Sequence, residues 1–288
     1  MSVGIGVGLS FFGSLLTTNI LPLDGLSVTA AFSLRKVRTA HTGAAIRVRR
    51  SSDNFEQDIG FTSTGGLDTT GLLAFVGAGS GFVTVWYGQV GQINATQATA
   101  ENQPRIVNAG VVEQQNGRPS LWFDGVNDNL MVSSSTMLQN NPQVISSVVN
   151  LQGIGANSVV SNDSPGQYGR GFGNAGGSGN AQIMFNDGWS AGTVWPVNSL
   201  QIATASWSTL NVELYLQGMR NINRGSRETG NLAAGNYICI GSGQPSTLYS
   251  PAKYISEIII TSENWNNRPS SQVTLEKNQG AYFGVSIA

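Results

Sequence analysis

The side chains able to do chemistry are few and unevenly spread. The chain has 16 acids, 15 Lys and Arg residues, one histidine (His41) and one cysteine (Cys239). One His and one Cys argue against a zinc site, and no Gly-x-Ser-x-Gly elbow stands near a second base. Six of the 15 cations fall between Arg35 and Arg50 with no acid among them, and Asp53, Glu56 and Asp58 follow at once. Ile46 and Val48 alternate with Arg47 and Arg49, the pattern of a half-buried strand with a cationic outer face. Such a stretch either binds anions or sugars or forms a structural ion-pair network with the carboxylates beside it. Asp124, Asn127 and Asp128 crowd one turn. Their hard oxygens could hold calcium, or they could make Asx-turn hydrogen bonds without a metal.

Aromatic rings are the other source of recognition, because sugar faces stack on them. Trp189 and Trp195 lie in DGWSAGTVWPVN, and Trp265 lies between Asn264 and Asn266. Both segments read as loop. These three residues are the candidates for carbohydrate binding, the alternative being packing or a subunit interface, where Trp is enriched. Trp86, Trp122 and Trp207 fall in strand patterns and read as core. The Gly-rich loop at 169–180 lacks the Lys-Ser/Thr ending of a phosphate-binding P-loop.

The elements that must position these residues are strands. Charged residues make up 11% of the chain, below the usual quarter or so. The 37 glycines suit many short strands joined by tight turns. A net charge of -1 gives no global pull toward nucleic acid or an anionic membrane, and a lone cysteine gives no disulfide framework. Strand patterns run over residues 82–87, 121–123, 144–151, 201–207, 211–217, 237–241 and 254–260. Leu67–Phe75 reads as a short helix capped by Asp68, and Pro269–Gln279 reads as an amphipathic one.

The first 23 residues carry no charged side chain. Without a basic n-region a secretory signal is not expected. Interspersed Ser, Thr, Asn and Gly make the segment a poor membrane span, which needs about 20 mostly apolar residues. Val3, Ile5, Val7 and Leu9 alternate with glycines or lead into Phe11 and Phe12. This pattern predicts an apolar N-terminal arm over 1–30 that docks on a partner subunit or on its own domain, followed by one β domain over 31–288.

LRKVRTAHTGAAIRVRRSSDN resembles the opening of the catalytic domain of the alpha-L-arabinofuranosidase B family. Thr39, Ala40, His41, Thr42 and Gly43, then Ser52 and Asp53, stand in the pattern, with His41 where the family has an aromatic. Tyr87, Gly88 and Gln89 resemble that family's Tyr-Asp-Gln core, with Gly88 in place of the Asp. The same opening block resembles segments of bacteriophage virion proteins with a concanavalin-A-like, laminin-G-like sandwich. GRPSLWFDGVNDNLMV resembles a strand pair of that superfamily, and the last strand and helix resemble its ending.

The resemblance implies an all-β, concanavalin-A-like jelly-roll β-sandwich. In the arabinofuranosidase pattern a strand Glu and a turn Asp are the catalytic pair. Here the Glu position falls at Phe185 or Asn186, and the turn is Gly241-Ser242-Gly243-Gln244-Pro245. Asp163 and Asp187 remain as substitutes. One residue of slip in a strand puts a side chain on the opposite face, so both carboxylates of the pair are read as missing, and the leading expectation is a non-enzymatic structural component of a bacteriophage virion, with no cofactor. Its expected partners are other virion proteins, further copies of itself and a host-surface glycan. An arabinofuranosidase-like glycoside hydrolase is the alternative.

Overall fold

The computed structural model describes residues 21–133, 142–155, 157–161, 170–174, 178–185, 188–225, 238–242 and 252–288. Val3, Ile5, Val7, Leu9, Phe11 and Phe12 lie outside the described residues. The chain opens with β1 (Ala30–Ser33), β2 (Ile46–Arg50), β3 (Glu56–Ile59), α1 (Thr69–Val76), β4 (Gly81–Trp86), β5 (Ala95–Thr96) and β6 (Arg105–Asn108). Short strands follow: β7 (Val111–Val112), β8 (Gln114–Gln115), β9 (Arg118–Pro119), β10 (Leu121–Phe123) and β11 (Leu130–Val132). The longer ones are β12 (Gln143–Leu151), β13 (Asn157–Ser161), β14 (Gly171–Asn174), β15 (Asn180–Phe185) and β16 (Gly188–Val194). β17 (Gln201–Trp207), β18 (Asn211–Leu216), β19 (Met219–Gly225), β20 (Ile238–Ile240), β21 (Lys253–Thr261) and α2 (Ser270–Phe283) complete the order.

All the pairings are antiparallel, and they make two runs. One is β19–β18–β17–β12–β21, with β1 and β10 sharing the far edge of β21. The other is β3–β2–β4–β5–β11–β20–β13–β14–β15–β16. β6 pairs with both β10 and β4 and joins the runs into one 19-stranded sheet. The runs share one core. Phe32, Ile145, Ile258 and Ile260 of the first meet Ile46, Val48, Trp86, Leu130 and Ile183 of the second. Burying each such side chain contributes about 1.5–3 kcal/mol.

The first run is covered on its other face as well. Leu23, Ala31, Val144, Ile259, Trp265 and Leu275 form a second cluster there, beneath α2. That is why β12 reads as the near-continuous apolar run QVISSVVNL and is buried throughout: a strand covered on both faces has no polar side to alternate. Residues 21–28, expected to belong to the arm, pack on the domain. Leu23 is fully buried and its N–H donates to Val37 O at 3.1 Å.

α1 starts with the cap legible in the sequence, α2 starts after Pro269 without a side-chain cap, and both run past their expected ends. The Asp68 side chain accepts from Gly71 N at 2.9 Å, and Gly77 at φ 66 ends α1. α2 continues past Gln279 through Tyr282 and Phe283, which cover the first run, and stops at Gly284 with φ 68.

Candidate functional site

The basic stretch is largely absorbed by pairing. Arg47 and Asp58 face each other across β2 and β3, with Nε–Oδ1 at 2.7 Å, and Tyr87 donates to the same Asp58 oxygen at 2.9 Å. The Arg47 guanidinium holds the Asp58 carboxyl below the usual carboxylate range. Arg50 holds Asp53 down to about 2. Arg49 reaches Gln103 Oε1 at 2.8 Å and Asn54 Oδ1 at 2.7 Å. Glu56 departs from the expected network. Its partner is the Thr84 hydroxyl at 3.3 Å, with no hydrogen-bonded arginine. Arg35 leaves the stretch altogether and clasps Glu257 in the interior. Lys36 lines an open cavity beside His41.

Three of the tryptophans depart from expectation. Trp195 is fully buried and stacks on Phe172, and Trp265 is 2% exposed with its indole N–H donating to Glu263 Oε2. Neither presents a ring to a sugar. The segment expected to be a loop around Trp189 and Trp195 is strand β16 over Gly188–Val194, so its glycines did not signal side-chain exposure. The side chain of Trp189 lies outside the described residues. Trp122, expected in the core, is half-buried on the outer side of β10, 4.6 Å from the Tyr254 ring, and Tyr254 OH donates to Glu113 at 3.4 Å. Trp86 and Trp207 are buried as expected.

The Asp124 turn makes the hydrogen bonds of an Asx turn. Asp124 Oδ1 accepts from the N–H groups of Val126, Asn127 and Asp128, and Asp128 Oδ2 accepts from Asp124 N at 2.9 Å. Both carboxylates are engaged by backbone, as an Asx turn requires. Burial pushes the Asp128 carboxyl up to about 7. Nearby, burial pushes the Lys253 ammonium down to about 7, and it donates to Gly241 O at 2.6 Å. Among the described residues no group of three or more His, Cys, Asp or Glu side chains could hold a metal ion.

Asp163 and Asp187, the substitute carboxylates, lie outside the described residues, but the strands that carry them are described. Register puts Cys239 opposite Ser161, Ser161 opposite Gly171, Gly171 opposite Met184, and Met184 opposite Trp189. This is one row across β20, β13, β14, β15 and β16. Residues 162–169 and 186–187 therefore leave from the same end of two adjacent hairpins. Ser161 and Met184 are two strands apart, about 10 Å at the usual spacing. The Gly241-Ser242 turn is drawn to this row too. Ser161 Oγ donates to Ser242 O at 3.2 Å, and Cys239 Sγ lies 3.1 Å from Ser242 Oγ. Arg170, fully buried at the start of β14, donates to Gln143 Oε1 at 3.1 Å. Ser242, from one of the two segments that the arabinofuranosidase resemblance singled out, thus contacts the row that runs on to the other, β15–β16.

No family model and no curated protein matches the chain. Solved structures do. A GH54 α-L-arabinofuranosidase soaked with a cyclic sulfate inhibitor matches with a TM-score of 0.64 and 14% identity, over 87% of this chain and 62% of that one. An arabinofuranosidase complexed with arabinofuranosyl-alpha-1,2-xylobiose matches with the same figures. A Trypanosoma rangeli sialidase in complex with sialic acid matches with a TM-score of 0.51 and 13% identity, over 68% of this chain and 31% of that one. The chain spans less than two thirds of the length of these relatives. At such identities the likeness shows the fold. It corrects the leading expectation: the similar structures are glycoside hydrolases, and none of those reported is a virion component. The expectation of a non-enzymatic phage protein is therefore set aside for its alternative.

Proposed function

We propose that this chain is an arabinofuranosidase-like glycoside hydrolase on a concanavalin-A-like jelly roll, with Asp163 and Asp187 as its catalytic carboxyl pair. The supporting observation is the row Cys239–Ser161–Gly171–Met184–Trp189. It starts both Asp-bearing connections from one end of neighbouring hairpins, beside the Gly241-Ser242 turn, in a chain whose fold matches arabinofuranosidases over 87% of its length.

Glycoside hydrolysis needs one carboxylic acid to protonate the leaving oxygen and one carboxylate to attack the anomeric carbon or activate water. A separation of about 5–5.5 Å gives retention and about 6.5–9.5 Å gives inversion. Substrates are α-L-arabinofuranosides, the class bound by the similar enzymes.

The test is turnover of an aryl α-L-arabinofuranoside by the full chain. Wild type releases the phenol. Asp163→Asn and Asp187→Asn each lose at least about a hundredfold in kcat, the usual range for a general acid or base, with unchanged melting temperature. No turnover by wild type, or turnover indifferent to both substitutions, overturns the proposal.

A further inference from the structure

The cavity beside β2 and β3 has no part in the hydrolytic chemistry proposed above. It has a volume of about 420 Å³ and is lined by Lys36, His41, Thr42, Gly43, Ala44, Gly60, Phe61 and Thr62. We infer that it is a binding site for a carboxylate-bearing monosaccharide of the hexuronate class.

The lining is chemically one-sided. Among the described residues it carries one ammonium group, on Lys36, and no carboxylate. The other cations of the stretch are drawn elsewhere. Arg35 pairs with Glu257, Arg38 donates to the carbonyls of Leu23 and Leu26, Arg47 pairs with Asp58, Arg49 donates to Gln103 and Asn54, and Arg50 pairs with Asp53. An anion entering the cavity therefore meets Lys36 without displacing an acid from the wall.

Size argues for more than a bare oxyanion. The volume falls in the range of small-molecule sites, about 300–1,000 Å³, and the rest of the wall suits a sugar ring. Phe61 is half-buried and fixed edge-on to the His41 ring, with centroids 5.9 Å apart at 83°. It offers an apolar surface for the C–H groups of a pyranose. The hydroxyls of Thr42 and Thr62 and the His41 ring supply hydrogen-bonding groups. His41 is held in place by its Nε2, 3.1 Å from Ala44 O, which leaves Nδ1 as the second ring position.

A glycine on the wall supplies a way to narrow it. A Cβ added at Gly60, one of the lining residues, meets no atom within 4 Å, so a valine there takes up part of the cavity without pressing on the fold. At Gly43 a Cβ would approach His41 Cε1 at 3.1 Å, so that position is unsuited to the same use.

Calorimetric titration of the full chain with D-galacturonate, D-galactose and acetate tests the inference independently of any turnover. Galacturonate is expected to bind saturably, with galactose and acetate each at least tenfold weaker. Lys36→Met and Gly60→Val are each expected to weaken galacturonate at least tenfold, at unchanged melting temperature. If Lys36→Met does not fold, Gly60→Val decides alone. Galacturonate binding no tighter than galactose or acetate, or binding retained in a folded variant, overturns the assignment. So does no binding by wild type.

Discussion

Arg35 Nε and Nη2 reach the two carboxylate oxygens of Glu257 at 2.8 and 3.1 Å, across 222 residues of sequence. Ser33 and Gln279 donate to the same carboxylate, and the guanidinium lies over the Tyr282 ring at 4.6 Å. One arginine from the basic stretch thus ties β1 and β21 to α2. Removing one partner leaves a buried charge uncompensated. Glu257→Ala is expected to cost about 3–5 kcal/mol in denaturant unfolding. Arg47→Ala, which breaks a pair with both side chains more than two fifths exposed, is expected to cost under about 1 kcal/mol. Equal losses would contradict this division.

Trp195 is buried against Phe172, whereas Trp122 is half-buried. Trp195→Ala is expected to cost about 3–5 kcal/mol, the range for a large ring deleted from a core. Trp122→Ala is expected to cost clearly less. Melting curves of the two variants check the order, and the reverse order would return Trp195 to the surface.

Gly88 stands where the arabinofuranosidase pattern has Asp. A Cβ at this position would collide with the carbonyl oxygen of Ile93, which is backbone and cannot swing aside. Restoring the acid by Gly88→Asp is therefore expected to lower the melting temperature strongly, and Gly88→Ala to do the same. A Gly88→Asp protein as stable as wild type would show that the chain can open there.

Asp128 gives a pH dependence of known sign. Burial raises its folded pKa to about 7 from 3.8, so between those values the folded state binds the extra proton. This contribution to stability is complete below pH 3.8 and is lost as pH rises through about 7. Asp128→Asn keeps an acceptor for Asp124 N and removes the titration. The variant is expected to gain on wild type as pH rises from 4 to 8. Melting temperatures measured across that range check it, and parallel curves would contradict it.

Much of the fold could be read from period-two patterns, because β12, β17, β18 and β21 are strands whose alternation or continuous apolarity follows from which faces are covered. The Asp124 turn was legible for a local reason: its hydrogen bonds close within four residues. Two features were not legible. The partner of Arg35 is distant in sequence, and charge count alone pointed to its near neighbours Asp53, Glu56 and Asp58. The depth of Trp195 and Trp265 depends on what packs over a loop, and loop composition carries no record of that. The expectation of a virion component rested on which motif positions carry a carboxylate, whereas the similar solved structures are glycoside hydrolases. Register across β13–β16, which no local motif records, brings the ends of β13 and β15 to one side of two adjacent hairpins.

The most direct test of that reading is kinetic: hydrolysis of an aryl α-L-arabinofuranoside by the wild-type chain and by Asp187→Asn. Release of the phenol by wild type, reduced at least about a hundredfold in the folded variant, is the predicted result. No release by folded wild-type protein, or equal release by both, would contradict it.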